Sequence, residues 1–460
     1  MPNLRHQRAP TTVKKNIINL NALPLVTRIL YLFEQAIAHL LLPFVPLLML
    51  IRSRKEPAHF RKLLDRFALG AVGHRCAVWI YAASLGETRA ASPLIRQLRA
   101  EGFNVLLTHQ SPSGLAEGVR LFANDSGVSQ AFVPLDLFWA VRIFLRRFQP
   151  IALIVMEIEI WPAMLIETTR KGIPIAMANG NLLEQSIGNG RGLRSHLLKL
   201  YLLFSHICTR TQNYYDRYIR LGVDPLRVSV VGEMKYDQLI DPAHLRMAKT
   251  LRTNLVGGER FLMIASSVEA EESLLLPMVE RLIAQDSGLR VLWAPRSPQR
   301  FQRVADELRS KGIAVTLRSS LGRAMDAPMP QTRVLVVDST GEMNAFYPAA
   351  DLVFVGASLV DHGGHNIIEP LVLGRPVVMG PSTYGIDFAA EPAGQAGAFE
   401  SLQDAVALEE RIVELLADPV ALAKMSAASV AFTMDKTGAA ERTFLVLHSL
   451  LSPITESPSE

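Results

Sequence analysis

The sequence predicts an α/β chain: two doubly wound parallel-sheet domains in tandem, behind an apolar helix that anchors the chain to a membrane. Three observations carry this. Short apolar runs recur with helical patterns between them, which is how buried parallel strands read. That alternation pauses near residues 238–258 and then restarts. An apolar stretch from about Leu25 to Ile51 stands ahead of both halves. At 460 residues the chain is too long for one ordinary core. The expected division is 1–56 for the basic N-terminus and anchor, 57–240 and 241–451 for the two domains, and 452–460 for a polar tail.

The anchor comes first. Its cleanest run, Ala36 to Ile51, is interrupted by His39, Pro43 and Pro46. It falls short of the roughly 20 residues that span a bilayer. Starting at Leu25 supplies the length but encloses Arg28 and Glu34, which is costly in lipid. Arg5, Arg8, Lys14 and Lys15 precede the stretch, and Arg52, Arg54, Lys55, Arg61, Lys62 and Arg66 follow it. Cations on both sides suit a monotopic helix on an anionic surface; a span wants them on one side. No small-residue cleavage site follows, which argues against a signal peptide. A buried amphipathic helix and a single-pass span are the alternatives.

In the first domain the expected strands are Ala77–Ala83, Gly102–Gln110, Ile151–Glu157, Ile173–Gly180 and, closing this half, Arg227–Glu233. Helical patterns such as Thr88–Ala100 separate them. In the second they are Arg260–Ser266, Leu289–Pro295, Ile313–Ser319, Arg333–Asp338, Ala350–Ser358 and Arg375–Pro381. A helical tail runs from about Leu408 to Leu451. Ligands of such sheets bind at the carboxyl ends of strands, so a cleft shared by two facing domains is the expected active site.

Composition removes several function classes. Hydrophobic residues make up 49% and charged residues 20%, as in globular proteins. The net charge of +5 is small for this length, and no long basic run is interleaved with aromatics, so no nucleic-acid partner is expected. Cys76 and Cys208 stand far apart without CxxC or Cys/His spacing. Neither a disulfide framework nor a structural zinc site is expected; they read as thiols in a reducing compartment.

Three strings offer chemistry at strand ends. Ser84-Leu85-Gly86-Glu87 follows the first strand: Gly86 reads as a tight turn, and Glu87 as a carboxylate able to take a proton from a hydroxyl. Its ordinary reading is a first-turn helix glutamate favoured by the macrodipole. Met156–Pro162 sets Glu157, Glu159 and Trp161 after a buried strand. Glu159 reads either as a ligand of sugar hydroxyls or a positioner of Glu87, or as part of a helix entry with Pro162 in its first turn. Gly356–Pro370 holds Gly363-Gly364, His365, Asn366 and Glu369. The glycines permit close backbone approach, Asn366 can cap the next helix, and Glu369 can accept from a ribose diol. Two further strings support these. Ala294–Phe301 offers Arg296 to a phosphate, and Asp338–Asp351 sets Gly341, Glu342 and Met343 at a strand end. A solvated cation and an ordinary turn are the competing readings.

Together these strings resemble the bacterial 3-deoxy-D-manno-octulosonic acid (Kdo) transferases over nearly the whole chain. "SLGE", "SPSGLAEG", "FVPLD", "MEIEIWP", "GEMKYD", "PRSPQRF", "DSTGEM" and "GGHNIIEP" stand in that family's order. The resemblance implies a GT-B fold of two Rossmann-like domains. It implies transfer of Kdo from CMP-Kdo to a lipid A precursor, with inversion, at the cytoplasmic face of the inner membrane in lipopolysaccharide core biosynthesis. By that match Glu87 is the catalytic base, with Ser84, Gly86, Glu159 and Lys235 on the substrate side. Arg296, Gly341, Glu342, Met343, Gly363, Gly364, His365, Asn366 and Glu369 match the nucleotide side. Neither a metal nor another cofactor is implied. The chain departs from the family pattern at four places. It has Ser266-Ser267-Val268 for Ser-Thr-His, Ser297 for a histidine, Asn181 for an arginine, and Glu233 for an asparagine. These leave open a divergent transferase using another CMP- or nucleotide-activated sugar, and a non-catalytic membrane-bound relative.

Overall fold

The computed structural model describes residues 18–53, 63–70, 73–187, 193–255, 260–322, 325, 328–329 and 331–451. The expected cations at 5, 8, 14, 15, 54, 55, 61 and 62 and the tail 452–460 lie outside these. The chain divides into two compact units, Met1–Gln238 with Gly438–Glu460, and Leu239–Thr437.

The first unit holds β1 (Val78–Tyr81), β2 (Val105–His109), β3 (Val128–Phe132), β4 (Ala152–Met156), β5 (Ile175–Gly180), β6 (His206–Thr209) and β7 (Val228–Val230). Their order is β3-β2-β1-β4-β5-β6-β7, every pairing parallel. Val78 is in register with both Val105 and Ala152. All four residues of β1, Val-Trp-Ile-Tyr, are buried, because helices cover both faces of such a sheet. The strand order reverses between β1 and β4, the point where doubly wound sheets take ligands. β3 and β6 lie outside the expected strands. Ser129 and Gln130 interrupt the first, and His206 and Thr209 flank the second; inside the fold, His206 Nε2 finds Ser229 Oγ at 2.9 Å.

The second unit holds β8 (Arg260–Ser267), β9 (Leu289–Pro295), β10 (Val315–Leu317), β11 (Val334–Val336), β12 (Leu352–Val355), β13 (Val377–Met379) and β14 (Phe399–Ser401). Their order is β10-β11-β9-β8-β12-β13-β14, again all parallel, with the reversal between β8 and β12. β14, three residues with Glu400 at its centre, gives too short an apolar run to be read from sequence.

The expected helical tail is three helices, Ala405–Ala417, Pro419–Lys436 and Ala439–Leu451. The last belongs to the first unit, so the second ends at Thr437 rather than at 451. Gly438, at φ +90°, breaks the chain direction. The Asp237 carboxylate then accepts from the N–H groups of Gly438 and Ala440 at 2.6 and 2.7 Å, capping the helix from 200 residues away in sequence. Phe444, Leu447 and Leu450 join Leu94, Ile95 and Leu98 in one buried cluster.

The anchor forms a helix, Leu25–Leu41, a 3-10 turn at Leu42–Phe44 containing Pro43, and a second helix, Val45–Ser53. Leu25–Ile51 is long and apolar enough to cross a membrane by length and composition. Its amphipathicity runs opposite to that of a soluble surface helix. Thr27, Tyr31 and Gln35, one stripe at i, i+4 and i+8, are its buried residues. Thr27 Oγ1 donates to the His196 carbonyl at 3.3 Å and Tyr31 OH to Glu167 Oε1 at 3.2 Å. Gln35 donates to the Asp136 carbonyl and accepts from the Phe138 N–H, both at 2.9 Å. Leu25, Ile29, Leu32, Phe33 and Leu40 are each more than half exposed. The helix is therefore not the buried amphipathic helix of the alternative reading. Its polar stripe faces protein and its apolar stripe faces outward, where a contiguous patch calls for a non-aqueous partner. Arg66 is no flanking surface cation either. It is buried, 4.1 Å over the Phe132 ring, and donates to the Gln110 side chain at 3.0 Å.

Candidate active site

In the first unit the site begins where β1 ends. Ser84 caps the helix Leu85–Ala100, its Oγ accepting from the Glu87 N–H at 3.3 Å. Glu87 reaches back: Oε2 accepts from the Ala83 N–H at 2.8 Å and Oε1 from the Ser84 hydroxyl at 3.0 Å. The N-cap serine and Glu87 thus bond each other reciprocally, with the Ala83 N–H ahead of the cap also held, so the first-turn reading of Glu87 describes its geometry. It also fixes the carboxyl at the β1/β4 reversal. Burial pushes that carboxyl up, and Glu157 and Glu159 push it further, to about 7, against the pull of the Ala83 and Ser84 bonds. A carboxyl that exchanges its proton near neutrality suits a general base. Gly86 does not make the expected tight turn. It is an ordinary helical residue in open space, where an added Cβ would meet only Ser84 Oγ, at 3.9 Å. The glycine that matters here is Gly114, beyond β2. A Cβ there would stand 3.1 Å from the Ser84 carbonyl carbon, so Gly114 lets the two strand-end turns touch.

β4 delivers Glu157 in left-handed backbone at φ +61°. Its Oε1 pairs with Arg210 Nη2 at 2.7 Å and Lys235 Nζ at 3.2 Å. Burial pushes the Glu157 carboxyl up, but Arg210 and Lys235 together outweigh it and hold the group below the usual range. Arg210, buried at the end of β6, also pairs with Glu233 Oε2 at 2.9 Å and donates to the Asn179 carbonyl at 3.1 Å. With its amide oxygen turned inward, Asn181 accepts from the same guanidinium at 2.9 Å. Asn179, at φ +59°, donates to Glu233 Oε1 at 2.8 Å and accepts from the Met234 N–H at 3.0 Å. Two departures from the family pattern, Asn181 and Glu233, thus meet on one arginine that sequence reasoning missed. Its signal was a lone cation directly after the apolar-centred run His206–Thr209.

Glu159 Oε2 accepts from the Trp161 indole at 2.8 Å; burial first, then Glu157, push this carboxyl up. Pro162 does open a helix, Pro162–Arg170, whose first N–H groups are capped by Asp136 of the FVPLD string at 2.8 and 3.0 Å. The helix-entry reading of this segment therefore describes its geometry. Glu87, Glu159 and Lys235 each interact electrostatically with Glu157 at one end of the sheet, and Ser84 joins them through Glu87.

In the second unit, Arg296 follows β9 and is exposed, its N–H bonded to the Ser267 carbonyl at 2.9 Å. Its guanidinium makes no hydrogen bond or ion pair with another described residue. The segment after β12 is held from below by Glu271, fully buried, which accepts from the N–H groups of Ala357, Ser358 and Leu359 at 2.6, 2.7 and 2.9 Å. A fourth bond, from the Val268 N–H, is 3.2 Å. Valine offers no side-chain acceptor in return. Gly363 and Gly364, at φ +84° and +73°, allow close approach of this chain to itself. An added Cβ would stand 2.5 Å from the Tyr384 carbonyl and 2.4 Å from Met379 Cε respectively.

His365 is kept neutral: burial first, then Arg296 and His362, lower it to about 4, and its Nε2 has no partner among the described residues. Asn366 Oδ1 accepts from the Ile368 N–H at 3.0 Å, the expected capping role, on a helix of only five residues, Ile368–Val372. Glu369 is half-buried and its carboxylate makes no hydrogen bond to a described residue. Gly341, at φ +92°, precedes Glu342, whose carboxylate takes a two-pronged bond from Arg318 at 2.9 and 3.0 Å, with Met343 opening a one-turn helix. Glu342 is thus committed to structure. Arg296, His365 and Glu369 keep polar groups available at the strand ends.

Residues 59–238 match the family model described as 3-deoxy-D-manno-octulosonic-acid transferase (kdotransferase). The 3-deoxy-D-manno-octulosonic acid transferase of Bordetella pertussis is 33% identical over 423 residues, covering 89% of this chain and 97% of that protein. This chain belongs to the Kdo transferase family. The Haemophilus influenzae Kdo transferase is 32% identical over 425 residues, 91% of this chain and 96% of its own. Membership makes the chain a glycosyltransferase. A UDP-GlcNAc 2-epimerase from Neisseria meningitidis and a glycosyltransferase from Rickettsia africae superpose with TM-scores of 0.57 and 0.56. Each is 12% identical and covers 82% of this chain and 99% of its own. These likenesses concern the fold alone, the Rossmann-like sheets of the GT-B class.

Proposed function

We propose that this Kdo transferase moves Kdo from CMP-Kdo to a lipid A precursor, at the cytoplasmic face of the inner membrane, in lipopolysaccharide core biosynthesis. The observation that carries the reading is Glu87, a carboxyl held at the β1/β4 reversal and pushed up to about 7 by burial and its acidic neighbours. Glu87 takes the proton of an acceptor hydroxyl as its oxygen attacks the anomeric carbon from the face opposite CMP, which inverts that centre. Ser84 holds the carboxyl in place. Gly86, Glu159 and Lys235 belong to the substrate side in this reading. Arg296 meets the phosphate charge that grows as CMP leaves, a two-pronged role suited to a guanidinium. Neutral His365, Asn366 and Glu369, with the Gly341–Met343 turn and Gly363-Gly364, take the nucleotide. No metal enters the scheme.

The relatives' names support the Kdo donor. The Asn181 departure weighs less than it does in the sequence, since Arg210 brings a guanidinium against that same amide. A nucleotide panel tests the donor side by calorimetry. CMP is expected to bind in preference to UDP and GDP, with chelator present, and Arg296→Ala to weaken it by about 1.5–3 kcal/mol, a charge-assisted bond's worth. Preferential UDP or GDP binding would overturn the CMP-Kdo assignment in favour of another nucleotide sugar.

A further inference from the structure

A cavity of about 520 Å³ opens in the first unit against the segment that carries Glu157 and Glu159. It falls within the roughly 300–1,000 Å³ of small-ligand pockets. Its lining is apolar apart from Glu34 and the tip of Tyr201. Phe33 and Ile37 of the helix Leu25–Leu41 form one wall, Ile158, Ile160 and Trp161 of the segment after β4 another, and Leu197 a third.

The segment after β4 is two-sided. Glu157 pairs with Arg210 and Lys235, and Glu159 raises the proton affinity of Glu87, so the acids belong to the polar site. The alternate residues Ile158 and Ile160 line the cavity. Trp161 joins the two, with its indole N–H on Glu159 at 2.8 Å and its side chain on the cavity wall. A ligand matching both sides is an amphiphile, its hydroxyl-bearing head at the carboxyls and its apolar tail in the cavity. The helical wall continues into the outward apolar stripe of Leu25, Ile29 and Leu32, so a tail leaving the cavity meets further apolar surface instead of water.

We propose that this cavity binds one acyl chain of the membrane-borne acceptor and thereby sets the acceptor hydroxyl against Glu87. The proposal rests on the lipid acceptor named above. The full-length enzyme in vesicles is assayed with CMP-Kdo, using the tetra-acylated precursor and the same phosphorylated disaccharide stripped of its chains. Ile37→Trp, at a partly exposed helix position, and Leu197→Trp each fill the cavity. Each is expected to raise KM for the acylated acceptor by about tenfold, the burial of two or so methylenes. KM for CMP-Kdo and the rate on the stripped disaccharide stay unchanged. Separately, a disaccharide with a diazirine in one acyl chain is photolysed on the wild-type enzyme. Cross-links are expected in peptides carrying Phe33–Ile37, Ile158–Trp161 or Leu197, and are competed by unlabelled precursor.

Wild-type transfer with unchanged KM in both variants would overturn the cavity assignment while leaving the reaction intact. Cross-links competed equally by phospholipid would overturn it too, since the cavity would then hold bulk lipid. Precursor-specific cross-links without any Kdo transfer would support the cavity and overturn the reaction instead.

Discussion

At the scale of single residues, Glu87 is held by a helix cap and destabilised by its neighbours at once. Glu87→Gln keeps an acceptor for the Ala83 N–H, so the fold survives, while transfer is expected to fall by roughly 10²–10⁴, the share of a general base. The base works only when ionised, so wild-type kcat should rise with pH and level off above about 7. The stability sign is opposite. A carboxyl raised from 4.5 to about 7 by folding contributes stability below pH 4.5 and loses it as pH climbs through 7. Glu87→Gln should therefore melt no lower than wild type at pH 8, which thermal unfolding would check. Arg210 is the contrasting case. Arg210→Gln takes the ion pair from buried Glu233 and leaves half-buried Glu157 with Lys235 alone, and should cost about 3–5 kcal/mol in urea unfolding. Adding Glu233→Gln should recover part of that loss, a coupling that a double-mutant cycle measures.

At the scale of elements, the segment after β12 depends on a carboxylate from the helix Glu269–Gln285. Glu271→Gln turns an N–H₂ group toward two of the four backbone donors, since Oε1 and Oε2 each accept from two. Each donor left without an acceptor costs about 1–3 kcal/mol, so CMP affinity should drop at least about tenfold, as calorimetry would read. An unchanged affinity would separate this segment from the nucleotide. The sequence was legible where elements are long and apolar: β1, β4, β8 and β9 read directly as buried runs. It was opaque where polar residues are satisfied only by distant partners. β6 needs Ser229 for His206, and the last helix needs Asp237 as its cap, so neither announces itself locally. The site followed the same division. Glu87 and the Gly363–Glu369 string stand at strand ends and could be picked out. Arg210 acquires its meaning only when β4, β5 and β6 bring Glu157, Asn179 and Asn181 to it, and Gly86 looked like a turn but is plain helix.

At the scale of the whole molecule, the apolar stripe of the helix Leu25–Leu41 is consistent with membrane association. Its polar stripe is hydrogen-bonded to the first unit, so replacing outward residues leaves those bonds in place. Leu32→Asp with Leu40→Asp should release the protein from anionic vesicles in a flotation assay, with CMP binding unaltered; retention on the vesicles would contradict a membrane role for this face. One assay shows directly what the enzyme transfers. Purified enzyme is incubated with a tetra-acylated lipid A precursor and CMP-Kdo generated in place, and the lipid is weighed by mass spectrometry. A gain of one or more Kdo masses that vanishes with Glu87→Gln is expected. No gain from folded, CMP-binding protein, or a gain that persists in Glu87→Gln, would contradict it.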